Sequence, residues 1–451
     1  MNIMGIDIGT TSISMVLLDQ DTKELVAHET VNHGSFLPGE TPEDKIQNPE
    51  RIWGFVKEKA DVLIDSYGLP AGIGLTGQMH GMLYVDADGE AVSPLYTWQD
   101  GNGNKPLHGQ KGREGSKPPY DNLNSVQFLR KYVGAAASGY GLTTHYYLQD
   151  AGKIPENAVK MTTISDYIAM KLCGNKTPVI GTDMAASWGC FDLKKREFRL
   201  EALEQAKVDV SYLPRVQRGN FIVGKTERGI PVMGSVGDNQ ASFMGSVDSL
   251  YDTVLINVGT GSQVTFASER YVDCEGILEL RPFTADSYIL AGSPLCGGRA
   301  YAMLEQFYRE VSGQMDRSYY DIMQEQAQAF IRQYGVQSAW KVATTFSGTR
   351  NDPGERGRIT RIGTENFCPG AMTVGVITGI LDELYQQYQK MCELTGKKAK
   401  RMVGSGNGLR QNPLMQKLVQ EMFGLELKLS RYQEEAACGA ALCCLQAFQR
   451  N

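Results

Sequence analysis

Ile6-Asp7-Ile8-Gly9-Thr10-Thr11-Ser12 is an apolar run that ends in a glycine and three hydroxyl residues. An echo begins 250 positions after Ile6, as Ile256-Asn257-Val258-Gly259-Thr260-Gly261-Ser262. Each copy leads into a second apolar run, residues 13–18 and 263–267. Two such runs around a glycine- and hydroxyl-rich turn read as a β-hairpin. A long-period echo marks a duplicated domain. The chain therefore divides into two similar α/β domains, residues 1–245 and 246–451. The boundary falls in the small, polar stretch GSVDS at 245–249, which suits a hinge.

The rest of the chain agrees with that division. A length of 451 residues predicts two or three domains. Hydrophobic residues at 42% and charged residues at 21% are ordinary for a globular protein and exclude wholesale disorder. With 45 basic against 51 acidic residues, the net charge is −6 and no basic block stands out. That argues against nucleic acid or an anionic membrane as partner. No apolar run approaches the ~18 residues of a membrane span. The start, MNIMGIDIG, lacks the features of a signal peptide, so a cytoplasmic location is expected. Nine cysteines without a C-x-x-C spacing read as reduced thiols, and five scattered histidines form no transition-metal cluster.

Helices are predicted over residues 49–67, 300–311 and 374–394, and from Asn412-Pro413 to about 423. A closing helix over 434–448 is rich in small residues that allow close packing. Asp86-Ala87-Asp88-Gly89 is a turn, and 101–120, rich in Gly, Lys and Pro, is a surface loop.

Several clusters can carry chemistry. Backbone N–H groups and hydroxyls at Thr10, Thr11 and Ser12 can cradle phosphate oxygens. Asp7 on the preceding strand would then face those phosphates, which makes sense if Mg²⁺ lies between them. Gly259, Thr260 and Gly261 offer the same arrangement a second time. Residues 404–408, GSGNG, form a glycine-rich turn ahead of the Asn412 helix, a plausible nucleotide cradle, with a plain connecting turn as the equal alternative. That turn lacks the Lys-Ser/Thr of a P-loop and does not satisfy G-x-G-x-x-G. Asp238 directly follows the apolar segment 230–236, where it could accept the proton of an attacking alcohol or cap the next helix. Gln78-Met79-His80 and Trp98-Gln99-Asp100 combine hydrogen-bonding groups with apolar faces, as a polyol site requires, although packing explains each alone.

Taken in order, Gly5–Ser12, Gly77-Gln-Met-His-Gly81, Thr97-Trp-Gln-Asp100, Gly237-Asp-Asn-Gln-Ala241, Asn257-Val-Gly-Thr-Gly261 and Gly404-Ser-Gly406 resemble the FGGY carbohydrate kinases. The resemblance covers nearly the whole chain. Residues 139–142 and 185–189 are similar to the subgroup that acts on a seven-carbon ketose. The resemblance implies two ribonuclease-H-like domains of the actin, hexokinase and Hsp70 superfamily, with the active site in an interdomain cleft. It implies ATP and Mg²⁺ as cofactors, a small sugar as substrate, and leaves a homodimer open. Asp238 would be the catalytic base and Asp7 the Mg²⁺-side carboxylate. Gln78, Met79, His80, Trp98, Asp100 and Asn239 would line the sugar. Thr10, Thr11, Ser12, Gly259, Thr260, Gly261, Gly404, Ser405 and Asn412 would surround the nucleotide. One departure stands out: the family reads Trp-x-Asp-x-Arg, and here the last position is Asn102, with Lys105 or Arg113 as the nearby cations. The competing readings are a kinase for another polyol, a non-catalytic sensor of sugar or nucleotide, and an actin-like assembling ATPase.

Overall fold

A computed structural model describes residues 1–107, 123–274, 276, 278–348, 352 and 354–449. The chain forms two compact units. The first comprises Met1–Gly245, Arg281–Ser287 and Tyr432–Asn451; the second comprises Ser246–Leu280 and Tyr288–Arg431.

In the first unit the strand Asn2–Ile8 pairs antiparallel with Ser12–Asp19, which pairs antiparallel with Leu25–Asn32. On its other side Asn2–Ile8 runs parallel to Ile73–Gly77. That strand runs parallel in turn to Pro231–Met233 and Val236–Gly237. The second unit repeats this plan. Thr253–Val258 pairs antiparallel with Ser262–Ser268, and the latter antiparallel with Ser287–Gly292. Thr253–Val258 also runs parallel to Arg401–Ser405, and that strand parallel to Leu427–Leu429. Order and direction agree over five strands of each sheet, and the plan is ribonuclease-H-like. The echo in sequence is thus a repeat in topology.

Burial explains the strand sequences. Ile3, Met4, Ile6 and Ile8 are buried on both faces of the central strand, so it reads as one apolar run. The edge strand Leu25–Asn32 carries alternating polar residues and stays partly exposed. The helix Pro49–Tyr67 starts where Asn48 accepts from the Arg51 amide and Pro49 takes the first helical position. Its Ile52, Val56, Leu63 and Ile64 are buried, each contributing about 1.5–3 kcal/mol of transfer free energy.

The closing helix packs within the first unit. Residues 432–451, assigned above to the second domain, belong to the first unit. The helix Glu435–Gln449 lies so close to the sheet that a Cβ on Gly5 would come within 1.9 Å of Ala437 O, and one on Gly74 within 2.0 Å of Ala440 O. A helix face of Ala437, Ala440 and Ala441 needs a flat partner, and Gly5 and Gly74 supply it. Two other helices differ in length from expectation, running over Gly298–Ser312 and Pro369–Thr395. The second begins early because Pro369 opens it. Within the expected loop 101–120, Asn102–Asn104 form a short 3-10 turn, while 108–120, including Arg113, lie outside the described residues. Among the described residues no helix is long and apolar enough to cross a membrane.

Candidate active site

The first hairpin closes through the Gly9 amide, which donates to Ser12 O at 2.9 Å. Three side chains hold its turn. His33 Nε2 lies 3.2 Å from Gly9 O, Gln47 Nε2 donates to Thr10 O at 2.6 Å, and Trp98 Nε1 donates to Thr10 Oγ1 at 2.9 Å. A carbonyl only accepts, so His33 carries its proton on Nε2, and the Ser35 hydroxyl then donates to Nδ1 at 2.7 Å. Burial, the largest cause, lowers the His33 pKa and favours this neutral form. The turn is thus anchored from behind, with Thr11 exposed at its tip.

Asp7 precedes that turn. Its Oδ1 is buried without a hydrogen-bond partner. Burial, then the negative charges of Asp238 and Glu434, push its pKa up to about 7. A divalent cation beside Asp7 would relieve both causes, and the hard carboxylate oxygens suit Mg²⁺. Among the described residues no three metal-type side chains form a ready cage.

Asp238 opens the helix Asp238–Ser246 and is half-buried. Its Oδ1 accepts from the Asn239 amide at 2.7 Å and from Asn239 Nδ2 at 2.9 Å. An N-cap side chain bonds two or three residues ahead; this carboxylate bonds to the next residue, so capping does not account for it. The strand behind it is fixed by two buried carboxyl groups. Ser235 N donates to Asp166 Oδ1 at 3.1 Å, and Gly237 N to Asp183 Oδ2 at 2.7 Å. Burial raises the pKa of Asp166 to about 7 and that of Asp183 to about 6.

The expected sugar residues fall into two groups. Met79 is buried against Gly237, where an added Cβ would meet its sulfur at 2.7 Å. His80 holds a left-handed backbone, φ 73°, uncommon for a residue with a side chain. Its Nδ1 donates to Ser187 O at 2.6 Å, its amide donates to Ser187 Oγ at 3.0 Å, and its ring stacks on Tyr140 with centroids 4.6 Å apart. Trp98 is 47% exposed, and Gln78 only 4%. Asp100 is held within its own loop. It is 1% exposed, and its carboxylate accepts from Lys45 N, Asn102 N and Asn102 Nδ2 at 3.0–3.3 Å. Asp100 therefore pins its own loop, and Asn102 is part of that anchor. Lys105 is also engaged, donating to Thr41 Oγ1 at 2.7 Å and pairing with Asp44 at 3.2 Å.

In the second unit the corresponding hairpin closes through Gly259 N to Gly261 O, and Thr260 and Gly261 are exposed at its tip. Arg299 N donates to Thr260 O at 2.8 Å, and a Cβ on Gly298 would fall 1.9 Å from Gly259 O. The hairpin thus packs directly on the start of the helix Gly298–Ser312. Gly406, at φ 82°, and Gly408 lie against Val258 O, which brings the glycine-rich turn beside the hairpin. Ser405 Oγ accepts from Asn257 Nδ2 at 2.8 Å, and Asn412 Oδ1 caps its helix at Met415 N, 2.9 Å away. Both side chains are buried, and of residues 404–408 only Asn407 is exposed, with Gly406 and Gly408 partly so.

Sequence reasoning missed Gln47, Ser187, Tyr140 and Asp183 as site residues. Gln47, in Lys45-Ile46-Gln47-Asn48, carries no local sequence signal of such a place.

The family model "FGGY family of carbohydrate kinases, N-terminal domain" matches residues 2–245, and the corresponding C-terminal domain model matches 254–448. Sedoheptulokinase of Mus musculus is 27% identical over 481 residues, covering 98% of this chain and 97% of that protein. Among solved structures, gluconate kinase from Lactobacillus acidophilus superposes with a TM-score of 0.81 at 21% identity, over all of this chain and 90% of that one. The ligand-bound xylulose kinase from the same organism gives 0.80 at 21% identity with the same coverage.

Proposed function

The chain belongs to the FGGY family of carbohydrate kinases, and from that premise we propose that it transfers the γ-phosphoryl group of ATP to a primary hydroxyl of a ketose, sedoheptulose giving sedoheptulose 7-phosphate. Support for the sugar comes from the sedoheptulokinase similarity along almost the full chain. The observation that carries the chemistry is the half-buried Asp238, directly after a backbone segment fixed by Asp166 and Asp183 and near enough to the orphaned Asp7 carboxyl to raise its pKa.

Phosphoryl transfer passes through a loose transition state, so the protein mainly aligns the reactants and neutralises charge. In this reading the Thr10–Ser12 turn and the Gly259–Gly261 turn hold phosphate oxygens through amides and hydroxyls. Asp7 would hold Mg²⁺, which supplies positive charge against the phosphates. The exposed Trp98 indole gives the sugar an apolar face, and His80 and Asn239 give it hydrogen bonds. Asp238 orients the attacking hydroxyl and takes its proton late, as the new O–P bond forms, because a carboxylate is too weak a base to ionise an alcohol beforehand. The same reading includes a cytoplasmic enzyme whose partners are ATP and a small sugar.

A second reading, a kinase for xylulose, ribulose or glycerol, is favoured by Asn102 in the family's arginine position. ADP release measured with ATP and each of sedoheptulose, xylulose, ribulose, gluconate and glycerol tests the choice. The proposal expects the highest kcat/KM with sedoheptulose. Turnover with glycerol or xylulose alone would replace the sugar, and ADP release that no sugar stimulates would overturn the kinase reading.

A further inference from the structure

Two buried amides connect the proposed sugar site to the phosphate turn. Gln47 is fully buried, and its Nε2 donates to Thr10 O at 2.6 Å. A backbone carbonyl can only accept, so that bond fixes which end of the Gln47 amide faces the turn. Gln47 Oε1 then points the other way and accepts from Gln78 Nε2 at 3.0 Å. The orientation of Gln78 follows from that of Gln47, and Gln78 Oε1 is turned away from both. That oxygen is buried and has no hydrogen-bond partner in the protein. A buried acceptor left unmade is costly, and a ligand hydroxyl that donates to it removes the cost.

A second tie reaches the same residue. Trp98 Nε1 donates to Thr10 Oγ1 at 2.9 Å. With its oxygen accepting from the indole, the Thr10 hydroxyl keeps its own proton to give to a phosphate oxygen. Thr10 is therefore held at its carbonyl by Gln47 and at its hydroxyl by Trp98. The first chain ends at Gln78 and the second at an exposed ring, both among the residues read as sugar-contacting.

We propose that Gln47 is a positioning residue that couples sugar binding to nucleotide binding. A sugar hydroxyl donating to Gln78 Oε1 locks Gln78, Gln47 and the Thr10 carbonyl into one arrangement. The turn is then set for phosphate before the nucleotide arrives, and by reciprocity bound nucleotide favours the sugar. This inference rests on the assignment of the two sites under the proposed function, and the test separates the two.

The experiment is calorimetric titration of the full chain with a non-hydrolysable ATP analogue, with and without saturating sugar. The sugar is whichever one first gives turnover in the same preparation. Absence of turnover with every sugar would defeat the functional reading at that stage, and this inference with it. Wild type is expected to bind the analogue about 5-fold or more tightly when sugar is present, the lower range of measured couplings. Gln47→Leu removes both bonds and should bring that ratio to about one. Gln47→Glu keeps an acceptor for Gln78 Nε2 but sets an oxygen against Thr10 O. It should keep sugar affinity near wild type and still lose the coupling. A residue that only supported the fold would lower thermal stability and weaken each ligand alone while leaving the ratio unchanged. Turnover with a wild-type ratio of one, or a wild-type-like ratio in either folded variant, would overturn the proposal.

Discussion

The Gly237 amide donates to Asp183 Oδ2 at 2.7 Å, one residue before Asp238. A buried carboxyl group thus sets the backbone from which the proposed base projects. Asp183 has no place in the chemistry itself, and its effect passes through Gly237. Asp183→Ala should lower kcat by on the order of 10²-fold, the effect of a misplacement of about an ångström. KM for sugar and ATP should stay within a few-fold. Asp183→Asn keeps an oxygen that can accept from Gly237 N and should recover most of the rate. Steady-state kinetics on the two variants check this, and equal losses in both would point away from positioning.

Asp166 predicts a pH dependence of stability. Burial raises its folded pKa to about 7, above the ordinary carboxylate value. The folded state therefore binds this proton more tightly than the unfolded chain does. The resulting stabilisation is complete below the unfolded pKa and is lost as pH rises through about 7. The slope is at most ~1.4 kcal/mol per pH unit for one proton. Asp166→Asn mimics the protonated form, since its amide can still accept from Ser235 N. Urea denaturation between pH 5 and 8 should show a flatter profile for the variant than for wild type.

The sheet–helix contact predicts opposite effects at two glycines. At Gly74 a Cβ would fall 2.0 Å from Ala440 O, so Gly74→Ala should cost about 1–3 kcal/mol or more by overpacking. Gly54 lies in the helix Pro49–Tyr67 with nothing within 4 Å of an added Cβ. There Gly54→Ala should stabilise by about 0.5–1 kcal/mol. Thermal melts of the two variants beside wild type measure both.

Much of this was legible in the sequence for physical reasons. Hairpin turns carry their signature locally, and the Gly9–Ser12 and Gly259–Ser262 turns have both the glycine and the hydroxyls. The helix Pro49–Tyr67 announces its start with Asn48-Pro49 and its buried face with Ile52, Val56 and Leu63. Long-range pairings leave no such local mark. The place of the closing helix depends on Gly5 and Gly74 in strands more than 350 residues earlier. Asp100 resembles a substrate ligand in sequence, and only the fold reveals that Lys45 and Asn102 enclose it. Gln47 and Gln78 lie 31 residues apart and meet through tertiary packing alone.

Asp7 gives a prediction that concerns the metal. Its orphaned Oδ1, with Asp238 and Glu434 nearby, calls for positive charge. Asp7→Asn should fold, and should lower turnover by roughly 10-fold or more, as loss of a charge-stabilising group does. The Mg²⁺ concentration for half-maximal rate should rise. Turnover titrated with MgCl₂ at fixed ATP reads both effects, and an unchanged Mg²⁺ dependence would remove Asp7 from the metal.

The most direct measurement is the formation of sugar phosphate from ATP, followed by phosphorus NMR, in wild type and Asp238→Ala side by side. Wild type should convert sedoheptulose to a single phosphate monoester. Asp238→Ala should fold and bind ATP but form that product ~10²–10⁴-fold more slowly. A variant that phosphorylates the sugar at nearly the wild-type rate would contradict the account.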